Sequence, residues 1–151
     1  MAATPALGRT ALSDSTDVKI PTTRSEVENS IAVSPLNSKV LLVSNNVYQV
    51  SGNSGTTSWI SLDAGKTWLT SDSLVLSPSR ADPACVIGRS GGTYGRFFVN
   101  HLNSIQYELG VHYKDTTGGT SWTHVEIDPG KSENVGTDKN HLVINNNTSG
   151  L

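Results

Sequence analysis

Cysteine is almost absent from this sequence of 151 residues, since Cys85 is the only one. A single thiol excludes an intrachain disulfide framework and any zinc site built from cysteines. Its neighbours Ala84 and Val86 are apolar, and a free cysteine in such surroundings behaves as a small hydrophobic side chain. We therefore predict that Cys85 is buried and unreactive.

Charge is also scarce and nearly balanced. Charged residues make up 16% of the chain, the formal net charge is −2, and no cluster of Lys and Arg is interleaved with aromatic residues. A nucleic-acid-binding surface needs a basic patch or stripe, so nucleic acid is excluded as an expected partner. The sequence has no apolar run of the ~20 residues that a membrane-spanning helix requires. Residues 1–13 lack the basic head and apolar centre of a signal peptide.

Helical periodicity is missing as well. No window repeats apolar residues at i, i+3, i+4 and i+7 among good helix formers. The sequence has instead many Ser, Thr, Asn and Gly residues around short apolar stretches, which is typical of strands joined by turns. We predict an all-β fold of antiparallel strands, preceded over residues 1–24 by an N-terminal arm or lead-in strand.

The most specific motif covers residues 61–68 and reads Ser-Leu-Asp-Ala-Gly-Lys-Thr-Trp. Alternating apolar and polar residues on both sides indicate two strands, and Asp63 and Gly65 indicate the turn of a hairpin between them. An Asp side chain in a turn accepts hydrogen bonds from nearby backbone N–H groups, and Gly tolerates a positive φ. Thr67 and Trp68 lead into the second strand, where Trp68 is expected to point inward as a packing anchor.

The same order of features occurs twice along the chain. The first unit, about residues 26–75, has predicted strands at 30–33, 39–44 and 56–62, a loop over 45–55, and a fourth strand that leaves the turn through Trp68. The second unit, about residues 80–128, has predicted strands at 82–87, 96–101, 105–113 and 123–127. The first strands are 53 residues apart, whereas Trp68 and Trp122 are 54 apart. Each unit is predicted to be a four-stranded antiparallel meander.

A third repeat begins near residue 137, where 138–144 align with 82–87, and continues to residue 151. Repeated four-stranded sheets can be arranged radially in a ring, and such a ring takes at least four sheets. Two units and one strand cannot close it. Open sheets would expose edges that promote aggregation. The sequence therefore predicts that the ring is completed by a separate chain or by further copies of this chain. We favour a separate chain, because the third repeat is interrupted within a Ser-Gly-Leu loop of the kind that proteases cleave.

The motif at 61–68 resembles the Asp-box, Ser-x-Asp-x-Gly-x-Thr-Trp, at every defined position. With the repeats over about 26–146, the chain resembles the sialidase-like Asp-box (BNR repeat) β-propellers. The resemblance implies a β-propeller of four-stranded blades, of which this chain supplies about two blades and the first strand of a third. It also implies a secreted or cell-surface protein. Asp-boxes of that family lie on the blade periphery, which implies a structural role for Ser61, Asp63, Gly65, Thr67, Trp68 and, in a degenerate second box, Asp115, Gly119 and Trp122.

Two functions follow from the resemblance. The first is binding of a glycan or protein ligand by loops at the mouth of the central channel, with no catalysis evident in this piece. The alternative is a sialidase-type glycoside hydrolase whose Tyr nucleophile, Glu and arginine triad lie mostly in the missing blades. Residues 19–21 resemble the family's Arg-Ile-Pro motif with Lys19 in place of Arg, and lysine lacks the planar fork that grips a carboxylate. The catalytic residues of this alternative are therefore unknown from the sequence.

Glu28, Asp82 and Asp138 precede the innermost strands of the three units, and Lys139 follows Asp138. In a propeller these positions gather around one channel mouth, where carboxylates bind a cation or a polyhydroxyl ligand or act as general acid and base. The alternative is that each acid caps its own loop through backbone N–H groups, and we favour it because fold maintenance repeats a residue at repeated turns. We predict no cofactor, with a structural calcium ion at these acids left open.

The four histidines lie in or beside predicted strands. None has a metal-ligand spacing such as H-x-x-x-H, so the sequence predicts no metal ligand among His101, His112, His124 and His141. His141 aligns with Ile31 and Ala84 and is expected to pack.

Overall fold

The computed structural model describes residues 20, 25–48, 54–76, 80–103, 108–119, 121–128 and 140–146. Within these ranges the chain forms eight strands and no helix, which confirms the all-β prediction. The strands are β1 Ser25–Val33, β2 Leu41–Tyr48, β3 Ser54–Ser61, β4 Leu69–Leu76, β5 Arg80–Gly88, β6 Arg96–Asn103, β7 Glu108–Lys114 and β8 Thr123–Asp128. They form two four-stranded antiparallel sheets, each in sequence order. The arm predicted over 1–24 lies outside the described residues, except for Ile20.

The first sheet extends further than the sequence predicts. β2 and β3 pair without interruption, from Leu41 opposite Ser61 to Tyr48 opposite Ser54. The predicted loop over 45–55 is therefore wrong at both ends, because 45–48 belong to β2 and 54–55 to β3. The Thr57 hydroxyl donates a hydrogen bond to Asn45 Oδ1 at 3.0 Å, and this buried cross-strand bond outweighs the turn preference of Asn.

β1 and β5 are equivalent strands with the same irregularity. The ladder between β1 and β2 shifts from Val27 to Ser30, and the ladder between β5 and β6 shifts from Ala81 to Ala84. Each shift marks a β-bulge, in which extra residues on one strand bend it and change the direction of its side chains. The bulges are 54 positions apart, so the period is 54 rather than the 53 predicted for the first strands.

The hydrophobic core lies between the two sheets. β5 packs against β1, β2 and β3, and alternation along the strand turns Cys85 and Ile87 toward the first sheet. The buried core residues are Val40, Leu42, Ile60 and Leu74 from the first half and Cys85, Ile87, Phe97 and Val99 from the second.

Cys85 lies in this core, as predicted. Its side chain is 5% exposed, and its sulfur lies 3.5 Å from the Leu42 carbonyl oxygen and 3.5 Å from Ser30 Oγ. Burial raises the pKa of the Cys85 thiol to about 11. The thiol is therefore protonated and shielded at neutral pH.

Residues 140–146 form no strand, so the third innermost strand is not found in this described segment. The segment lies beside the end of β5, where the Arg89 N–H donates a hydrogen bond to Asn146 Oδ1 at 2.8 Å. The prediction that His141 packs is wrong, because its side chain is exposed.

Candidate functional site

The bulges of β1 and β5 place two acidic residues in the same unusual backbone conformation. Glu28 has a φ of 55° and Asp82 a φ of 52°, in the left-handed region that few residues other than glycine adopt. Among the described non-glycine residues only Ala64, in the 61–68 turn, shares a positive φ. The two acids that the sequence places at equivalent positions are thus equivalent in backbone structure as well.

Asn46 of β2 joins these two acids. Its Nδ2 group donates hydrogen bonds to the Glu28 carboxylate and to Asp82 Oδ1, the latter at 3.0 Å. Its Oδ1 accepts a hydrogen bond from the Asp82 N–H at 2.8 Å. Because the two carboxylate oxygens share one amide nitrogen, they lie at most about 6 Å apart. We call Glu28, Asn46 and Asp82 the bulge site.

The structure thus brings together two of the four residues predicted for the channel mouth. Glu28 is exposed and Asp82 is partly buried, whereas Asp138 and Lys139 lie outside the described residues. Sequence reasoning missed Asn46, which it placed in a loop. Asn46 reaches both acids because β2 continues as far as the bulges and pairs there with β3, where Asn46 stands opposite Thr56. A local sequence pattern cannot predict the contact between Asn46 and Asp82, which are 36 positions apart.

Directly after the bulges, three segments of the chain line one groove of about 310 Å³. They are the last part of β1, the corresponding part of β5, and the segment at 142–146. The lining residues are Ile31, Ala32, Val33, Cys85, Val86, Ile87, Leu142, Val143, Ile144 and Asn146. Three large apolar side chains of this group are well exposed, at 65% for Ile31, 53% for Val33 and 89% for Val143.

The turn at 61–68 is closed by the hydrogen bonds expected of a turn Asp. Asp63 Oδ1 accepts from the Thr67 N–H at 2.8 Å and from the Ser61 hydroxyl at 2.9 Å, and Asp63 Oδ2 accepts from the Thr67 hydroxyl at 2.6 Å. The Gly65 N–H donates to Ser61 Oγ at 2.9 Å, and Gly65 has a φ of 87°. Hydrogen bonds from the Thr67 hydroxyl and N–H lower the pKa of Asp63 from 3.8 to about 2.

The degenerate box of the second sheet uses its Asp differently. Arg96 binds Asp115 in a bidentate pair, with Nε 2.5 Å from Oδ1 and Nη2 2.7 Å from Oδ2, and this bonding lowers the pKa of Asp115. The Arg96 guanidinium also lies 4.7 Å from the centre of the Tyr113 ring. Trp122 is partly buried and packs against the core.

Both turns lie far from the bulge site. Leu41, at the start of β2, pairs with Ser61 at the edge of the first turn, whereas Asn46 lies near the other end of the same strand. The turn also contacts the β1–β2 loop, where the Ala64 N–H donates to the Lys39 carbonyl oxygen at 2.7 Å. The hydrogen bonds of Ser61, Asp63, Gly65 and Thr67 close the first turn, and the structural role of the box residues stays a prediction of the resemblance.

Three histidines that the sequence keeps apart converge on the second sheet. His101 lies on β6, His112 on β7 and His124 on β8, and one ring nitrogen from each lies within 4.8 Å of the other two. We call these residues the histidine cluster. Their separations of 11 and 12 positions follow from the lengths of the hairpins, so a search for local ligand spacing does not find them.

Comparison with known proteins gives no match: no family model matches this chain, and no curated protein matches it significantly. The function is therefore inferred from the geometry of the sites. In the ranges that the structure describes, no helix has the length and apolar character needed to cross a bilayer.

Proposed function

We propose that this chain is part of a secreted or cell-surface, sialidase-like Asp-box β-propeller that binds a neutral glycan at the bulge site. The observation that carries the propeller is the groove lined by β1, β5 and residues 142–146. Radial repetition around a central channel brings the innermost strands of successive blades side by side in this way. The repeated bulge, 54 positions apart, adds support, and the extracellular location follows from the family resemblance alone.

The exposed apolar residues of the groove support further blades as the partner. Ile31, Val33 and Val143 are each more than half exposed, and covering such surface stabilises an assembly by roughly 25 cal/mol per Å² of apolar area. In this proposal a separate chain or further copies of the same chain supply the sheets that cover them.

The polar groups of the bulge site favour a glycan as the ligand. A sugar hydroxyl donates hydrogen bonds, and the carboxylates of Glu28 and Asp82 accept them. The two Nδ2 hydrogens of Asn46 are donated to these carboxylates and hold them in place. The carboxylates are close enough to meet neighbouring hydroxyls of one sugar ring. Two negative charges repel an anionic sugar, so the ligand of this site is a neutral glycan.

The same charges count against the sialidase-type alternative. A sialidase holds the carboxylate of its substrate, which calls for arginines. Among the arginines whose side chains the structure describes, Arg96 is paired with Asp115 and Arg89 is exposed beyond the end of β5, so neither lies at the bulge site. The hydrolase alternative therefore depends on residues that the structure does not describe.

Calorimetric titration of the purified protein with lactose, maltose, cellobiose, chitobiose and 3′-sialyllactose tests the proposal. We expect a neutral sugar to bind, and Asp82→Asn or Glu28→Gln to weaken that binding about tenfold or more, because a hydrogen bond to a charged group contributes roughly 1.5–3 kcal/mol. Asn tolerates the left-handed φ at residue 82, so the fold is kept.

Glu126→Gln on β8 is the matched control, since it removes an exposed carboxylate outside the bulge site and leaves binding unchanged. The proposal fails if no neutral sugar binds, or if the two bulge-site variants bind as well as the original protein. Release of sialic acid from sialyllactose is the result that supports the hydrolase instead.

A further inference from the structure

The proposed function does not use the histidine cluster, although the cluster lies in the same half of the second sheet as Asp82 of the bulge site. His101 stands opposite the bulge of β5, since its neighbours Asn100 and Leu102 pair with Ala84 and Ala81. The cluster thus joins the three outer strands of this sheet at the level where β5 is irregular.

Strand register places all three rings on one face of the sheet. His112 pairs directly with His124, and His101 pairs with Gly110, two positions before His112. Residues directly opposite each other, and residues two apart on one strand, point to the same face. Val99, which pairs with His112, belongs to the core between the sheets, so this face is the one turned toward the first sheet.

The rings are close enough for their nitrogens to share one ion. The ring centres are 5.0 Å apart for His101 and His112, 5.7 Å for His101 and His124, and 4.6 Å for His112 and His124. One nitrogen of each lies within 4.8 Å of the others. Zinc holds histidine nitrogens at about 2.0–2.1 Å, which sets them roughly 3.4 Å apart in a tetrahedral site. Side-chain rotations that move the ring nitrogens by about 1 Å bring them to this separation, with no change of strand register.

Gly110 is the residue that lets the rings converge. A Cβ atom added at Gly110 would lie 2.5 Å from Cε1 of His101 and 2.6 Å from Nε2 of His124, closer than a real Cβ can approach. Glycine weakens the interior of a strand and marks places where another group approaches closely. The histidine rings therefore occupy the space that a side chain at position 110 would fill. This observation supports the cluster separately from the distances among the rings.

Solvent exposure increases across the cluster, from His101 on β6 to His124 on β8. His101 is fully buried, His112 is 7% exposed and His124 is exposed. Two ligands thus stand in the interior and the third at the surface. An ion reaching the cluster from the His124 side would keep one coordination position toward solvent.

From this geometry we propose that His101, His112 and His124 form a binding site for a zinc-class divalent transition-metal ion. Imidazole nitrogens suit zinc, copper and nickel, whereas calcium and magnesium prefer oxygen ligands. Three protein ligands with a fourth position open to water is the arrangement of reactive rather than purely structural zinc sites. The site is separate from the calcium that the sequence left open at the acidic residues.

Equilibrium dialysis of the chelator-treated protein against Zn²⁺, followed by elemental analysis, is the first measurement. We expect one Zn²⁺ per chain and no comparable retention of Ca²⁺. Co²⁺ is the spectroscopic probe, because bound tetrahedral Co²⁺ gives strong visible absorption. The Tm is expected to rise with added Zn²⁺, since an ion that binds only the folded state stabilises it.

His124→Gln is the decisive variant, because an exposed side chain is replaced without disturbing the core. We expect it to weaken Zn²⁺ binding about 100-fold or more, since the loss of even an outer-shell partner costs 10–100-fold. Gly110→Ala is expected to weaken binding as well, with the fold checked by circular dichroism. His141→Gln is the matched control, as His141 is an exposed histidine outside the cluster.

The inference is overturned if the chelator-treated protein takes up no Zn²⁺. It is equally overturned if His124→Gln and His141→Gln bind Zn²⁺ alike, because the ion would then lie elsewhere. Both results concern Zn²⁺ alone and leave the glycan proposal to its own titration.

Discussion

Asp63 and Asp115 occupy matching places after the third strand of each sheet, but their carboxylates bind different partners. The residue four positions later accounts for the difference. Four positions after Asp63 stands Thr67, whose hydroxyl and N–H both bind the Asp63 side chain. Four positions after Asp115 stands Gly119, which has no side chain to offer. Asp115 binds Arg96 of the neighbouring strand instead. The first turn is therefore closed locally, and the second is tied to the sheet.

Acid should weaken the first turn. The folded-state pKa of Asp63 is about 2 and its ordinary value is 3.8, so the stability that it contributes is present above about pH 4 and is lost as the pH falls toward 2. Thermal unfolding between pH 2 and 7 tests this. Asp63→Asn should lower the Tm at pH 7 and show a smaller decline below pH 4 than the original protein.

Glu126→Gln serves as the reference for that experiment, because it removes an exposed carboxylate from the second sheet. Its pH profile should follow that of the original protein. Parallel profiles for Asp63→Asn and the original protein would show that the Thr67 hydrogen bonds do not stabilise the turn.

At the scale of elements, the strands were predictable wherever alternation and turn residues agree. β5, β6 and β8 begin within two residues of their predicted positions, because apolar runs and glycine-rich turns mark them. The far end of β2 was not predictable. Asn45 and Asn46 have turn propensity, and partners on other strands hold them in the sheet.

The candidate sites show the same limit. The acids at 28 and 82 were found because the repeat itself marks them, whereas Asn46 and the histidine cluster depend on which residues stand opposite each other. Register is set by bulges and hairpin lengths, and the shifts at Val27/Ser30 and Ala81/Ala84 leave only a weak trace in the sequence. Ligand sets that span several strands are therefore invisible to a search for local spacing.

The hairpin between β5 and β6 depends on Gly95. This residue has a φ of 92°, and an added Cβ would lie 2.1 Å from the Gly88 carbonyl oxygen. We expect Gly95→Ala to destabilise the protein by about 1–3 kcal/mol, measured as a lower midpoint in urea unfolding.

Gly119→Ala is the comparison for this hairpin, since a Cβ at Gly119 meets nothing within 4 Å and Gly119 is not among the glycines with positive φ. Its unfolding midpoint should stay close to that of the original protein. Equal midpoints for the two alanine variants would mean that the hairpin adapts and that Gly95 is not required.

At the scale of the whole molecule, the two sheets share one core and leave apolar side chains exposed along the groove. The proposed propeller predicts that these surfaces are covered in solution. Native mass spectrometry of the purified protein, followed by denaturing analysis of the same sample, should detect either a second, different chain or several copies of this one. A lone, soluble monomer of 151 residues would contradict the proposed assembly.

Because Cys85 is buried, the oxidation state of its thiol reports whether the protein has opened during storage. The thiol lies between the sheets with a pKa of about 11, so a folded molecule presents almost no thiolate for attack on another chain. As the chain has no second cysteine, any disulfide it forms with itself must link two molecules. A covalent dimer in an aged preparation would therefore mark molecules that opened after purification, and its disulfide would keep Cys85 out of the core.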